Sequence, residues 1–299
     1  MSSVTCFFLG RVHYTPSLVL QKAIVHLLKA ARNPFQHTIL MLEHCPVYTV
    51  GVRSRDPEND YSKNGIAKLE RLGAEFVKTD RGGLITYHGP GQLVAYPIIN
   101  LRCKSLIGRG LRWYIGALEH AGVCLCEQFG LEATPGGRGD VGVWLSPSKK
   151  IMAIGESSLV VADIFIALFQ PGIHQSESIT YHGLALNCSN EPLDWLRIIV
   201  PCGLAGRDVT SLAEVCQRNV TIDEVIPQFA VCLINSLFGP EESRPTDFRV
   251  SFRNDLAADW SGTCPSVSKS TSPLPHSWTE ASNVILEEVK FRTLRPISP

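Results

Sequence analysis

The sequence has no excess of charge of either sign and no long hydrophobic run. Its 28 basic side chains balance 28 acidic ones, which argues against a general nucleic-acid binder because such proteins normally carry a basic excess. No stretch of 18 or more apolar residues occurs, so we expect no membrane span. The 299 residues are 44% apolar, which suffices to bury the core of one large domain or two small ones.

The sequence also lacks cysteine spacings typical of a disulfide scaffold or a zinc site. Its ten cysteines are scattered, and the closest pair is Cys124 and Cys126. A lone C-x-C does not supply the four ligands of a structural zinc site. We therefore expect no metal, and we interpret most cysteines as reduced, buried side chains in a reducing compartment.

The first 42 residues contain no acidic side chain. A basic, acid-free, amphipathic start is typical of a mitochondrial transit peptide. The alternative is that this segment forms the first strand and helix of the domain. We favour the alternative, since Thr15 and Pro16 suit the start of a helix and apolar residues follow at helical spacing from Leu20 to Ala31.

The remaining pattern predicts a mixed α/β domain. Strand-like runs occur at residues 39–42, 47–50, 84–87 and 93–99, and a helical stripe occupies residues 111–118. Residues 141–145 and 151–154 flank Ser-Pro-Ser and are typical of a hairpin. Ser211 and Thr221 each precede a glutamate by three residues, which predicts two capped helices. Together these elements predict a mixed sheet with hairpins and without regular βαβ repeats.

A glycine-rich loop is the most informative motif. It reads Arg81-Gly-Gly-Leu-Ile-Thr-Tyr-His-Gly-Pro-Gly-Gln92 and lies between two strand-like runs. Glycine lets a ligand approach the backbone closely, so N–H groups can face a carbonyl or phosphate oxygen. Neither a Walker A lysine nor a Rossmann G-x-G-x-x-G is present. A plain hairpin loop is the alternative, although the surrounding Arg, Thr, Tyr and His favour a binding loop.

Cys202 is the candidate nucleophile. It stands between Pro201 and Gly203 after an apolar run, which predicts an exposed turn. A reactive thiol needs a neighbouring cation or base, because the thiolate is the nucleophile. The residues alone leave three candidate activators open: Lys149, Lys150 and His182.

Taken together, these motifs resemble those of the octanoyltransferases, and among them most closely those of the animal mitochondrial form. Six blocks carry the resemblance in order along residues 8–240. They are Leu42-Glu-His-Cys-Pro-Val-Tyr-Thr49, the glycine-rich loop with Tyr96-Pro-Ile98, Gly142-Val-Trp144, Lys150-Ile-Met-Ala-Ile-Gly155, Thr180-Tyr-His-Gly-Leu-Ala-Leu-Asn187, and Ile199-Val-Pro-Cys-Gly-Leu204 with Val209-Thr-Ser-Leu212.

The resemblance implies an α/β catalytic domain like that of biotin and lipoate protein ligases. It implies transfer of octanoyl from octanoyl-acyl carrier protein to a lysine of lipoyl carrier domains, through a thioester on the enzyme and without a cofactor. The implied carriers are glycine cleavage H protein and the E2 component of 2-oxoacid dehydrogenases. The implied location is the mitochondrial matrix.

The resemblance also assigns residues. Cys202 is implied as the nucleophile, and Lys150 as the group that lowers its pKa and can move the proton. The implied substrate-binding residues come from three segments: Arg81, Gly82, Gly83, Leu84, Ile85, Thr86, Tyr87 and His88; Ala153, Ile154 and Gly155; and Gly183, Leu184 and Ala185.

Two segments depart from the family pattern. We assign residues 1–242 to the catalytic domain, with an atypical apolar insert at 156–178 that follows the strand of Lys150. Residues 243–299 are rich in Ser and Pro, and we expect them to be disordered. Two alternatives therefore stay open: an isoform that binds carrier domains with impaired catalysis, and an ATP-dependent lipoate or biotin ligase.

Overall fold

The computed structural model describes residues 3–30, 36–51, 66, 69–79, 85–103, 106, 109–137, 140–154, 179–199, 208–244, 249–256, 258–259 and 278–294. Cys202, Arg81, Gly82, Gly83, Leu84, Gly155 and the insert at 156–178 lie outside the described residues.

Thirteen described strands form two sheets. The strands are β1 (Ser3–Val12), β2 (Gln36–His44), β3 (Val47–Val50), β4 (Glu75–Lys78), β5 (Thr86–His88), β6 (Gln92–Ile98), β7 (Thr134–Pro135), β8 (Gly142–Ser146), β9 (Lys149–Ile154), β10 (Leu184–Asn187), β11 (Asp208–Val209), β12 (Arg249–Arg253) and β13 (Ala258–Asp259). The larger sheet has the order β12-β1-β2-β6-β10-β9-β8-β7, with β11 beside β9 and β13 beside β1. The smaller sheet has the order β4-β3-β5.

Six described α-helices cover these sheets: α1 (Tyr14–Ala30), α2 (Leu111–Gln128), α3 (Glu191–Ile198), α4 (Leu212–Cys216), α5 (Ile222–Phe238) and α6 (Trp278–Leu294). Helices α2 and α5 bury one face of the larger sheet, α1 and α6 bury the other, and α3 packs on the smaller sheet. The predicted mixed α/β fold is confirmed.

Parallel and antiparallel pairs mix as the hairpin pattern predicts. Strand β1 is parallel to β2 and β12, whereas β2, β6, β10, β9 and β8 pair antiparallel in succession. Both predicted helix starts form their N-cap bonds, since the Ser211 and Thr221 side chains accept from the Glu214 and Glu224 N–H groups. The acid-free start forms β1 and α1, which confirms the strand-and-helix interpretation.

The eight described cysteines are free, and six of them are buried. One described segment, Ile222–Ser243, is long and apolar enough to cross a membrane by length and composition alone. Its residues Val225, Phe229 and Leu233 are instead buried against the sheet and α2, as in the core helix of a globular protein.

Part of the C-terminal tail is structured where it is described. Strand β12 extends the larger sheet beside β1, and Ala281, Ile285 and Val289 of α6 are fully buried. This differs from the disorder expected from composition, because three apolar residues spaced by four form a stripe that packs on α1 and β2. The division of the chain at residue 242 stays a prediction.

Replacing Ile285 by alanine should lower the free energy of unfolding by about 2–4 kcal/mol, since the side chain is fully buried and its removal leaves a cavity. Urea titration followed by circular dichroism measures this. The neighbouring Val284 is 40% exposed, so Val284→Ala should cost less than about 0.5 kcal/mol. Equal small effects would show that α6 contributes nothing to the fold.

Candidate active site

Lys150 lies in the middle of the larger sheet and points inward. Its strand β9 pairs with β8 on one side and with β10 and β11 on the other, despite the insert that follows. The side chain is only 7% exposed. Its Nζ donates to the Val141 carbonyl at 3.0 Å and lies 4.5 Å from the centre of the Trp144 ring. A carbonyl and an aromatic face both favour the ammonium form.

Lys149 and His182, the other two candidate activators, differ from Lys150 in placement. Lys149 is exposed. His182 is buried, has a positive φ of 58°, and its N–H donates to Gln21 of α1 at 3.0 Å. Lys149 therefore lies at the surface, and His182 packs in the interior against α1. Of the three candidate activators, Lys150 is the one that carries a buried, inward-facing cation.

A buried carboxylate that the sequence did not single out lies behind Lys150. Glu119 of α2 is 7% exposed, and its Oε1 accepts from the N–H groups of Gly142 at 2.9 Å and Gly136 at 3.2 Å. Burial raises the pKa of Glu119, while the two N–H groups and the Lys150 charge oppose that rise. Nothing in the spacing of the sequence distinguishes Glu119 from a surface glutamate.

The segment that carries Cys202 joins two elements whose positions are described. Before it, helix α3 ends at Ile198. After it, β11 runs parallel to β9, with Asp208 opposite Lys149 and Val209 opposite Lys150. The Thr210 N–H then donates to the Lys150 carbonyl at 2.9 Å.

The end of α3 is fastened to the smaller sheet by aromatic side chains. The Tyr48 hydroxyl donates to the Trp195 carbonyl at 2.9 Å, and the Tyr87 ring stacks on the Trp195 ring at 5.2 Å. Burial raises the pKa of Tyr48 to about 12, so its hydroxyl remains protonated and donates. This bond satisfies a carbonyl in the last helical turn, which has no partner within the helix.

The described end of the glycine-rich loop forms β5, which pairs with β3. Ile85 and Tyr87 are fully buried, whereas Thr86 and His88 are partly exposed. His88 Nδ1 lies 2.7 Å from the side-chain oxygen of Gln92 and therefore donates to it. The amide of Gln92 donates in turn to Asn187 of β10 at 2.9 Å, which ties the loop to the larger sheet.

A neutral histidine lies beside this loop. His44 Nδ1 donates to the Val12 carbonyl at 2.9 Å, so Nε2 accepts from the Tyr96 hydroxyl at 2.6 Å. Burial, and then the neighbouring His88, lower the pKa of His44 to about 3, so it stays uncharged at neutral pH. His44 and Tyr96 both belong to motifs that carry the family resemblance. Their hydrogen bond, however, depends on how β2 and β6 are placed in the sheet.

The other two predicted binding segments meet as neighbouring strands. Ala153 pairs with Ala185, and Ile154 pairs with Leu184. Gly183 precedes this pair at a close backbone contact: an added Cβ would lie 1.9 Å from the Ala95 carbonyl oxygen. The structure thus places the end of β9 beside the start of β10, with successive side chains on opposite faces of the sheet: Leu184 packs in the core against α2 and α5, and Ala185 in the core against α1 and α6.

Gly183→Ala should destabilise the chain by about 1–3 kcal/mol, because the new methyl group must displace the β6 backbone. Chemical denaturation measures the change. Gly116 is a matched control, since it is an exposed position of α2 where a Cβ meets nothing within 4 Å. Gly116→Ala should stabilise by about 0.5–1 kcal/mol, and a stabilising Gly183→Ala would contradict the packing described.

Comparison with known proteins identifies the family of this chain. Residues 13–161 match the lipoyl protein ligase A/B catalytic domain. The octanoyl-[acyl-carrier-protein]:protein N-octanoyltransferase of Danio rerio is 40% identical over 227 residues, covering 76% of this chain and 89% of the relative. The Homo sapiens protein of that name is 40% identical over 232 residues, covering 75% and 88%. The octanoyltransferase of Arabidopsis thaliana is 36% identical over 239 residues, covering 78% and 88%.

Solved structures agree on the fold. A lipoate-protein ligase A bound with ATP superposes with a TM-score of 0.54 at 15% identity, covering 96% of this chain and 95% of that one. A bi-partite lipoate protein ligase from Thermoplasma acidophilum gives a TM-score of 0.53 at 14% identity, covering 100% of both chains. From the sequence relatives, with this fold in support, the chain belongs to the octanoyltransferase family, the acyltransferases of protein lipoylation.

Proposed function

We propose that this octanoyltransferase moves octanoyl from octanoyl-acyl carrier protein to a lysine of lipoyl carrier domains through a thioester on Cys202. Lys150 lowers the pKa of the thiol and handles the proton. The observation that carries the proposal is the pairing of Val209 with Lys150, because Val209 lies only seven positions after Cys202 along the chain.

That short connection supports a thiol near the ammonium. Seven residues span at most about 25 Å when fully extended, and both flanks of the segment are fastened. Tyr48 fastens its start through α3, and the β9 ladder fastens its end. A cation next to a thiol favours the thiolate, so the pKa of Cys202 falls below that of an ordinary cysteine.

In the first half-reaction, the Cys202 thiolate attacks the carbonyl carbon of the octanoyl thioester. The new Sγ–C bond forms as the carrier's C–S bond breaks, and the released carrier thiolate takes a proton from the Lys150 ammonium, which is left as a neutral amine for the second half-reaction. One thioester replaces another, so the step needs no ATP. Oxyanion donors, each worth on the order of 3 kcal/mol, come in this proposal from backbone N–H groups next to Cys202.

In the second half-reaction, the neutral amine of the acceptor lysine attacks the enzyme thioester. The amide C–N bond forms, the Sγ–C bond breaks, and the amine proton passes to Lys150 or to the departing thiolate. The acyl chain lies against the glycine-rich loop from Arg81 to His88 and against the patch formed by Ala153, Ile154 and Gly155 with Gly183, Leu184 and Ala185.

The proposed acceptors are glycine cleavage H protein and the E2 component of 2-oxoacid dehydrogenases. The relatives from Danio rerio and Homo sapiens are named mitochondrial, which supports a mitochondrial location for this chain. We place the reaction in the matrix.

The test compares two donors in the presence of a purified apo-lipoyl domain. Octanoyl-acyl carrier protein without ATP should give a lipoyl domain heavier by one octanoyl group. Free octanoate with ATP should give none. The reverse pattern would establish a ligase. Binding of the lipoyl domain without transfer from either donor would establish the impaired isoform.

A further inference from the structure

We propose that Glu119 is a positioning residue that sets the location of the Lys150 ammonium through the peptide unit between Val141 and Gly142. This inference rests on the proposed roles of Lys150 and Cys202. It adds a residue from α2 to the strand and loop residues of the site.

The two contacts meet on opposite sides of one peptide unit. The Val141 carbonyl accepts from Lys150 Nζ at 3.0 Å, and the Gly142 N–H donates to Glu119 Oε1 at 2.9 Å. Because the peptide unit is planar and rigid, fixing its N–H also fixes its carbonyl.

Further contacts hold this peptide in place. The Gly136 N–H donates to the Gly142 carbonyl at 2.8 Å and to Glu119 Oε1 at 3.2 Å. The Trp144 indole N–H donates to the Asp140 carbonyl at 2.9 Å, while its ring faces Lys150 Nζ. One oxygen of Glu119 therefore holds the N–H groups of both Gly136 and Gly142. The Lys150 ammonium binds the carbonyl of the same peptide unit as the Gly142 N–H.

The fit around Gly142 is tight enough for small displacements to matter. Its φ is +137°, and an added Cβ would lie 2.4 Å from the Met152 carbonyl oxygen and 3.3 Å from Lys150 Cε. The lysine stem thus lies beside the space that a side chain at Gly142 would occupy. A shift of this peptide moves both the stem contact and the acceptor of the ammonium.

In the described part of the chain, the elements that border β9 carry charged side chains. Glu119 comes from α2, Asp140 precedes β8, and Asp208 begins β11. Lys149 is the neighbour on the same strand and is exposed; β8 and β10 carry no titratable side chain. Glu119 is the buried member of this group, so its replacement is the sharpest test.

Two substitutions separate geometry from charge. Glu119→Gln keeps a side-chain oxygen at the same reach but loses the charge, whereas Glu119→Asp keeps the charge and withdraws the oxygen by about 1.5 Å. The readout is the pKa of Cys202, from the pH dependence of its alkylation by iodoacetamide, followed by mass spectrometry of the Cys202 peptide. Glu127→Gln, an exposed change on the same helix, is the control.

We expect Glu119→Asp to raise the pKa of Cys202 by about one unit, roughly a tenfold loss of thiolate below that pKa. Glu119→Gln should stay close to the unmodified chain, as should Glu127→Gln. An unchanged pKa in Glu119→Asp, or equal rises in the Asp and Gln variants, would overturn the role of Glu119. If Lys150→Met also leaves the pKa unchanged, the proposed pairing of Lys150 with Cys202 fails first.

Discussion

Octanoyl transfer by the Cys202→Ala chain should fall by on the order of a thousandfold or more, because the reaction loses its covalent intermediate. Alanine removes the sulfur and leaves the Pro-Gly setting unchanged. The measurement is the initial rate of octanoyl transfer from octanoyl-acyl carrier protein to a lipoyl domain, read by mass spectrometry of the product.

The matched control is Cys216→Ala. Cys216 ends α4 and is partly exposed, so it tests whether any accessible thiol supports transfer. Its replacement should leave the rate within about twofold, as for a surface change away from the site. A Cys202→Ala chain that transfers at the normal rate would remove the thioester from the mechanism and leave direct transfer from carrier to lysine.

Lys150→Met should lower the rate by about a hundredfold to ten-thousandfold at neutral pH, the range expected for a group that handles a proton. Methionine preserves much of the buried stem but carries no charge. Without the ammonium, the pKa of Cys202 should return toward the ordinary value of about 8.5. The loss of rate in Lys150→Met should therefore be largest below about pH 8.5 and should shrink at higher pH, where the thiol ionises without help from Lys150.

Lys149→Met is the control for this substitution. The two lysines are adjacent on β9, but Lys149 is exposed and Lys150 is buried. The pH profiles of the transfer rate should therefore differ between the two variants. The profile of Lys149→Met should match that of the unmodified chain. Parallel losses in both variants would show that positive charge on β9 matters and that the inward position of Lys150 does not.

The sequence predicted local features better than contacts between distant segments. The hairpin of β8 and β9 and the capped starts of α4 and α5 were readable because their signals lie within a few residues. Lys150 and the β10 residues were assigned by resemblance, and the structure pairs their strands.

The missed residues share a different property. Glu119 belongs to the site only because α2 packs beside β7 and β8, and His44 meets Tyr96 only because β2 and β6 pair in one register. Neither relation has a local signal, since each depends on tertiary placement of elements far apart in the chain. The burial of Ile285 in the tail has no local signal for the same reason, because it depends on the contacts of α6 with α1 and β2.

The insert at 156–178 follows the strand of Lys150 directly. In the structure β9 pairs with β11 at Lys149 and Lys150, with β8 as far as Ala153, and with β10 as far as Ile154. Ile154 itself pairs with Leu184, so the chain on both sides of the insert enters and leaves a regular pair of strands.

The central claim is that a thioester forms on Cys202. Brief incubation of the purified chain with octanoyl-acyl carrier protein, without an acceptor and followed by acid quenching, traps such an intermediate for intact-mass measurement. The account predicts a gain of one octanoyl group that maps to the Cys202 peptide, is removed by neutral hydroxylamine, and disappears from the chain when a lipoyl domain is added. An unmodified chain that still transfers octanoyl, or an adduct on another residue, would contradict it.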